Sequence, residues 1–352
     1  MRSPVPKPLH RACGRPIVLH VLDALAELHV ERVVVVVGYR SAEVTKTLQS
    51  EAPPELRMEF VEQVRPLGTG DAAAVALTGF PDAYGGFEHG DLVVLPGDTP
   101  LVRPATLAAL VRAHRSSDAA ATLLTAVVAD PRGYGRVVRA KDGTVARIVE
   151  EADASPEEGL IDEIATSIYC FRHSVLAPTL RRLSPNNAQG EYYLTDAIAV
   201  LHAAGYPVGS MVAADPMEAA GVNDRAQLAA AEAELRNRIN ERWMRRGVTM
   251  IDPEQSYIDT SVELAPDVTL LPGVVLEGST RIGRGAVIGP AVHLIDCAVG
   301  PGARIENAVA RQSVIGDEAV VGPFAVLEPG TRLAPRAITG PFFTGGAGAD
   351  EF

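Results

Sequence analysis

No run in the sequence approaches the roughly 20 consecutive apolar residues that a helix needs to cross a bilayer, and the opening MRSPVPKPLHR carries no apolar stretch of a secretory signal. Both absences lead us to expect a cytoplasmic protein with no membrane partner. Cysteine is scarce. Cys13, Cys170 and Cys297 stand far apart, with neither pairing nor metal-ligand spacing, so neither a disulfide framework nor a zinc site is indicated and reduced thiols are predicted. Positive charge is in deficit: 32 Lys and Arg face 44 Asp and Glu, for a formal net charge of −12. Affinity for a nucleic-acid backbone rests on clustered cations that release counterions, so no nucleic-acid partner is expected. A small anionic ligand remains open, since a few local cations and backbone amides suffice for it. What is present in quantity is apolar sequence, 47% against 22% charged, the balance of a chain that buries cores. At 352 residues it suits two globular units better than one.

Over residues 17–28 the apolar positions Val18, Val21, Leu22, Leu25 and Leu28 recur at steps of three and four, which predicts a helix. The valine run 33–37, the segment 92–95 and the segment 121–128 read as buried strands. Strands alternating with helices predict an α/β layered sheet covered on both faces, with ligands at the carboxyl ends of its strands. A long helix is predicted over 225–246, capped by Asp224, with Leu228, Leu235, Ile239 and Trp243 as its apolar stripe and Gly247 as its stop.

Beyond residue 250 the period becomes six. Ile258, Leu264, Leu270, Leu276, Ile282, Ile288 and Leu294 follow one another at six-residue steps; the register shifts through Val299, Ile305 and Val309 and resumes at Ile315, Val321, Leu327 and Leu333. Neither a strand nor a helix has that period. It is the signature of a hexapeptide β-helix, in which three short strands make one coil and each apolar residue points inward.

Several short segments carry groups suited to phosphate and sugar chemistry. Lys7, in PKPLH, places a cation before a helix. Gln63 precedes RPLGTGDA, where Gly68 and Gly70 flank Thr69 and let backbone amides approach a flat polar ring. Asp98 follows a strand in LPGDTPL, at what reads as the end of a parallel strand, where a carboxylate can meet a divalent cation on phosphates. Gly135, in GYGR, and Glu150, in IVEEADA, offer close backbone approach and a carboxylate for sugar hydroxyls. Asn223, in GVND, places an amide oxygen before the long helix. Each has an ordinary alternative: a solvated loop lysine, a glycine turn, an Asx turn, a hairpin turn, a helix cap.

Their joint order resembles the bacterial bifunctional N-acetylglucosamine-1-phosphate uridyltransferase / glucosamine-1-phosphate acetyltransferase family. The likeness runs from about residue 3 to 335, through PKPLH and GRP, RPLGTGDA, LPGDTPL, DPRGYGRVVR, IVEEADA, NNAQGEYYLTD, GVNDRAQL, RRGVTMIDP and the hexapeptide turns. It implies a Rossmann-like nucleotidyltransferase domain of GT-A type over 1–224, lacking the family's first strand and Gly-rich loop. A linker helix over 225–249, a truncated left-handed parallel β-helix over 250–337 and a disordered tail over 338–352 would follow.

The activity implied is attack by a sugar-1-phosphate, N-acetylglucosamine-1-phosphate or a relative, on UTP to give a UDP-sugar for cell-envelope precursors and pyrophosphate. Lys7 would bind the nucleotide phosphates and, with Asp98, serve catalysis. Gln63, Gly68 and Thr69 would hold the uracil, Asp98 and Asn223 a Mg²⁺ ion, and Gly135 and Glu150 the amino sugar. The β-helix would form a homotrimer, and acetyltransferase activity is expected to be absent. Where the family has Glu-Ile/Val-Asn-x-Gly, this chain reads Glu163-Ile164-Ala165-Thr166-Ser167, which leaves the sugar open. An inactive sugar-nucleotide-binding protein and a trimeric scaffold are the alternative readings.

Overall fold

The computed structural model describes residues 1–80 and 90–346. The chain forms two compact units: Met1–His10 with Pro16–Arg225, and Arg11–Arg15 with the chain from Ala226 onward. The short segment 11–15 therefore departs from the single stretch 1–224 expected for the first domain. Its Cys13 carbonyl accepts the Thr260 N–H at 3.1 Å, a pairing too distant in sequence to be read from it. All three cysteines are buried and free, and burial pushes the Cys13 thiol up to about 12. No helix among the described residues is long and apolar enough to cross a membrane.

The first unit is built of α1 (Ile17–Ala26), β1 (Val33–Val37), α2 (Ser41–Glu51), β2 (Met58–Glu62), α3 (Thr69–Leu77), β3 (Asp91–Val94), α4 (Pro104–Ser116), β4 (Ala121–Val127), β5 (Gly135–Arg139), β6 (Val145–Val149), β7 (Glu163–Arg172), α5 (His173–Leu180), α6 (Asp196–Ala203) and β8 (Val208–Val212). The ten-residue β7 organises the main sheet. Along one edge it pairs with β4; the other edge is shared, Ala165 and Ile164 meeting β5 and residues 169–172 meeting β3. β8 adds to β4 in parallel and β6 closes a hairpin on β5. The valine strand β1 pairs with β2 in parallel as a separate two-stranded sheet.

Alternation decides the layers. Leu124, Ala126, Ile164, Ile168 and Cys170 enter one core with α1, α2 and α4, while Ala121, Leu123, Ala165, Tyr169 and Phe171 enter a second with α5 and α6. A period of two along a covered sheet produces this division, and each fully buried Phe or Leu contributes about 1.5–3 kcal/mol. One expectation needs refining: β3, the strand before Asp98, shares the direction of β4 and β8 as a parallel set requires, but its hydrogen-bonded partner is β7, which runs against all three. An apolar run fits a strand covered on both faces in either direction.

The second unit opens with α7 (Arg225–Arg245), whose Leu235, Ile239 and Trp243 are buried as the stripe predicts, while Leu228 at its start is only partly covered. Asn240, 1% exposed, shares that face and donates to the carbonyls of Pro253 at 2.8 Å and Ser256 at 2.9 Å. A parallel β-helix of the left-handed hexapeptide class follows, its three faces carrying five, six and five strands among the described residues. The apolar ladder runs inward as expected, with Ile258, Leu276 and Leu294 stacked in register. At the shift the inward residue is Ala310, paired with Leu294, and not the expected Val309. Two five-residue steps flank Ala310, so hydrophobicity favoured its neighbour while the coil's spacing selected the alanine. Glycine after an inward residue has a steric cause: a Cβ on Gly283 would lie 2.5 Å from the Pro301 nitrogen of the next coil. The repeat also runs past 337. Ile338 bridges to Val320, and Thr344–Gly345 pairs with Val326–Leu327, so residues 338–345 belong to the coil and not to a disordered tail. The remainder of that tail, 347–352, lies outside the described residues.

Candidate functional site

Lys7 sits in a single helical turn, Lys7–Leu9, that Pro8 initiates, proline being suited to a first turn. Its ammonium pairs with the Asp98 carboxylate and donates to Asn223 Oδ1 at 2.5 Å. Asp98 lies in the loop between β3 and α4, where Thr99 Oγ1 donates back to the Pro96 carbonyl at 3.1 Å. The Val222 N–H donates to the Asp98 carbonyl at 2.9 Å, which brings the 221–224 segment alongside and sets Asn223 beside the carboxylate. That segment is fixed from behind as well, because buried Glu218 accepts the Arg103 N–H at 3.1 Å. Three residues spread over more than 200 positions thus converge on one charge.

The Gln63 to Thr69 loop forms a second cluster. Gln63 continues the β1/β2 ladder through its N–H to the Val37 carbonyl at 2.8 Å, and its Nε2 donates to Asp71 at 2.7 Å and to the Gly68 carbonyl at 3.1 Å. The loop is laced to the segment 192–194: Tyr192 N–H to Leu67 O at 2.8 Å, Gly70 N–H to Tyr192 O at 2.7 Å, and Leu194 N–H to Thr69 Oγ1 at 2.9 Å. Only glycine fits at position 68. Its φ is +109°, and a Cβ there would lie 2.5 Å from the Tyr192 carbonyl oxygen.

Gly135 and Glu150 meet across the β5/β6 hairpin. A Cβ on Gly135 would stand 3.5 Å from Glu150 Oε2, and Glu150 Oε1 accepts the Thr195 hydroxyl at 2.8 Å. Burial raises the Glu150 pKa above the usual carboxylate range, with the Thr195 hydrogen bond opposing. The buried Tyr193 hydroxyl has no partner among the described residues, and burial followed by the nearby Asp153 and Glu150 carboxylates raises its pKa.

The predicted residues therefore fall into three groups: Lys7 with Asp98 and Asn223, Gln63 with Gly68 and Thr69, and Gly135 with Glu150. The second and third are joined by the strip 192–195, which binds Thr69 through Leu194 and Glu150 through Thr195. Sequence reasoning assigned that strip no role, although NNAQGEYYLTD was noticed as a motif. It likewise gave no role to Asp71, Arg136 and Glu151, since a group that acts by holding another leaves no spacing to detect.

Chemically, a carboxylate and an amide oxygen that both reach one ammonium provide a cation seat. Among the described residues there is no group of three or more His, Cys, Asp or Glu able to cage a metal. Two oxygen donors suit a hard divalent ion that completes its shell with substrate phosphates and water.

Comparison with known proteins places the chain in a family. The family described as Nucleotidyl transferase matches residues 3–239. The chain is similar to the "Bifunctional protein GlmU" of Desulfitobacterium hafniense (strain DSM 10664 / DCB-2), 44% identical over 97% of this chain and 73% of that protein. The same-named protein of Streptomyces avermitilis is 44% identical over 97% and 70%, and that of Halalkalibacterium halodurans 40% identical over 97% and 73%. Among solved structures, HddC from Yersinia pseudotuberculosis complexed with GMP-PN aligns over 67% of this chain and 92% of that one at 15% identity and a TM-score of 0.47, a likeness too loose to add to the assignment.

Proposed function

The chain belongs to the bifunctional GlmU family and is a sugar-1-phosphate nucleotidyltransferase, and from that premise we propose that it joins UTP to N-acetylglucosamine-1-phosphate or a closely related sugar-1-phosphate. The observation that carries the reading is the convergence of Lys7, Asp98 and Asn223 at the end of β3. An oxygen of the sugar phosphate attacks the α-phosphorus of UTP. One P–O bond forms, the bond to the β-phosphate oxygen breaks, and pyrophosphate leaves. Such transfers depend on positioning and charge neutralisation and need no covalent nucleophile.

In this reading Lys7 meets the phosphates of the nucleotide and offsets the charge that develops on them. Asp98 and Asn223 would hold a divalent ion, Mg²⁺, which when bound supplies Lewis-acid stabilisation of the phosphate oxygens. Gln63 would meet the base: Nε2 is engaged by Asp71 and Gly68, which leaves Oε1 as an acceptor matched to the N3–H of uracil and mismatched to N3 of cytosine. Thr69 and the Gly68 backbone flank the ring. Glu150 and the backbone at Gly135 receive sugar hydroxyls, and Tyr193, whose buried hydroxyl has no partner among the described residues, adds a further polar group. The β-helix supports a homotrimer, and the site of action proposed is the cytoplasm.

Pyrophosphate release from UTP, Mg²⁺ and a panel of sugar-1-phosphates tests this directly. Turnover with UTP well above that with CTP, and loss of about 10²–10³-fold in kcat on Asp98→Asn, is the expected result. A folded protein that releases no pyrophosphate with any member of the panel would refute it and favour a sugar-nucleotide-binding protein.

A further inference from the structure

Arg136 is the bulkiest of the fully buried side chains, at 2% exposure. Burying a guanidinium is costly unless its charge is used, and two groups use it. One nitrogen donates to the Tyr134 carbonyl, and Nη2 lies 3.6 Å from Glu151 Oε1. The other oxygen of Glu151 accepts the Gly133 N–H at 2.6 Å. The two halves of one ion pair thus grip the 133–135 loop at an amide and at a carbonyl.

The far end of the same hairpin is closed differently. There Asp142 Oδ1 accepts the Thr144 N–H at 3.0 Å and hydroxyl at 2.7 Å on an exposed turn, an ordinary Asx arrangement. Closing a hairpin does not require a buried arginine. What distinguishes the near end is its neighbour: Gly135 follows the gripped residues directly, and Glu150, which faces Gly135 and Thr195, precedes Glu151 in the chain. Arg136 lies opposite Val149 in the β5/β6 ladder, so the pair fixes both sides of the Gly135/Glu150 gap at once.

We infer that Arg136 and Glu151 are positioning residues that set the Gly135 backbone against the Glu150 carboxylate, and so govern affinity for the sugar-1-phosphate without touching it. The inference rests on the function proposed above. Steady-state pyrophosphate release, with each substrate varied at saturating concentrations of the other, tests it on Glu151→Gln, Glu151→Ala and Arg136→Lys, alongside thermal melts of each variant. Misplacing a binding group by a fraction of an ångström lowers its contribution steeply. The KM for the sugar-1-phosphate rises about tenfold in Glu151→Ala and Arg136→Lys and less in Glu151→Gln, which keeps an acceptor for Gly133, while the KM for UTP and kcat stay within about twofold. Should Arg136→Lys fail to fold, the half-exposed Glu151 variants carry the test alone. Glu151 variants that melt like the wild type and leave the sugar KM unchanged, or raise both KM values equally, overturn the inference. A wild-type protein inactive on every sugar-1-phosphate overturns instead the function on which it depends.

Discussion

Replacing Gly68 by alanine tests how the nucleotide loop is held. The glycine has φ +109° and ψ 175°, a region essentially closed to residues with a Cβ, at a cost of about 1–3 kcal/mol. The added methyl would also lie 2.5 Å from the Tyr192 carbonyl oxygen and 2.9 Å from its nitrogen. Both are backbone atoms and cannot rotate away. The loop must move off the 192–194 strip, weakening the hydrogen bonds to Leu67 and Gly70, each worth about 1 kcal/mol net. The sum is about 3–5 kcal/mol. A domain stable by about 5–15 kcal/mol survives that loss, with its melting temperature lowered by about 10 °C. Because Thr69 Oγ1 accepts from Leu194, the displaced loop carries Thr69 with it, and the KM for UTP should rise at least about tenfold. Gly133→Ala is the control. Its φ is +86° but nothing lies within 4 Å of the added carbon, so it should lose only about 1–2 kcal/mol. Melting curves and UTP kinetics on both variants decide the matter: a Gly68→Ala protein within about 0.5 kcal/mol of the wild type, with unchanged KM for UTP, would refute the reasoning.

Ser167 holds φ +60° at a bulge opposite β4 with its side chain exposed, so Ser167→Gly should stabilise the first unit by about 1 kcal/mol, read as a rise of about 2–4 °C in its melting temperature; a fall would show that the serine makes a compensating contact. Glu150 is raised by burial, which means its ionised form is disfavoured in the folded state. Its destabilising contribution is therefore absent below the ordinary carboxylate range, grows as pH rises towards the raised folded-state value, and is complete above it. Glu150→Gln should match the wild type in stability at low pH and exceed it at neutral pH, while weakening sugar binding; urea titrations across pH would expose a gap that fails to grow. Asn240→Leu strands the carbonyls of Pro253 and Ser256 and should cost about 2–5 kcal/mol, measured as the denaturation midpoint of the second unit, where a neutral result would mean that water or another donor replaces the amide.

What could be read in the sequence depended on how far apart the partners lie. The β-helix was legible because its rule is local: an inward residue every six positions, small residues after it. The rule failed where it was applied through hydrophobicity alone, at Val309, since an alanine in the right place outranks a valine beside it. The layered first unit was legible from its β-branched runs, but not the sharing of one edge of β7 by β3 and β5, nor the reversed direction of β7 between β3 and β4, because pairing partners lie far apart in the chain and composition does not announce them. Of the site, Lys7, Asp98 and Asn223 were each visible as motifs. That they meet follows from one backbone hydrogen bond, Val222 to Asp98, which no spacing announces. Thr195, Arg136 and Glu151 escaped for the same reason, since they act by supporting other groups.

The stacked coils also have a bearing on how this chain can change length. Ile258, Leu276 and Leu294 succeed each other at eighteen-residue intervals, yet the next residue on that face, Ala310, arrives after only sixteen. The corners therefore behave as expansion joints, absorbing the gain or loss of a residue while each strand keeps its inward side. An extra residue within a strand would have no such outlet and would turn its neighbour towards solvent. Duplication of one whole coil, by contrast, would add a storey to the prism and leave every existing face aligned, so the second unit is free to lengthen in steps that the first, whose strands do not repeat, cannot follow.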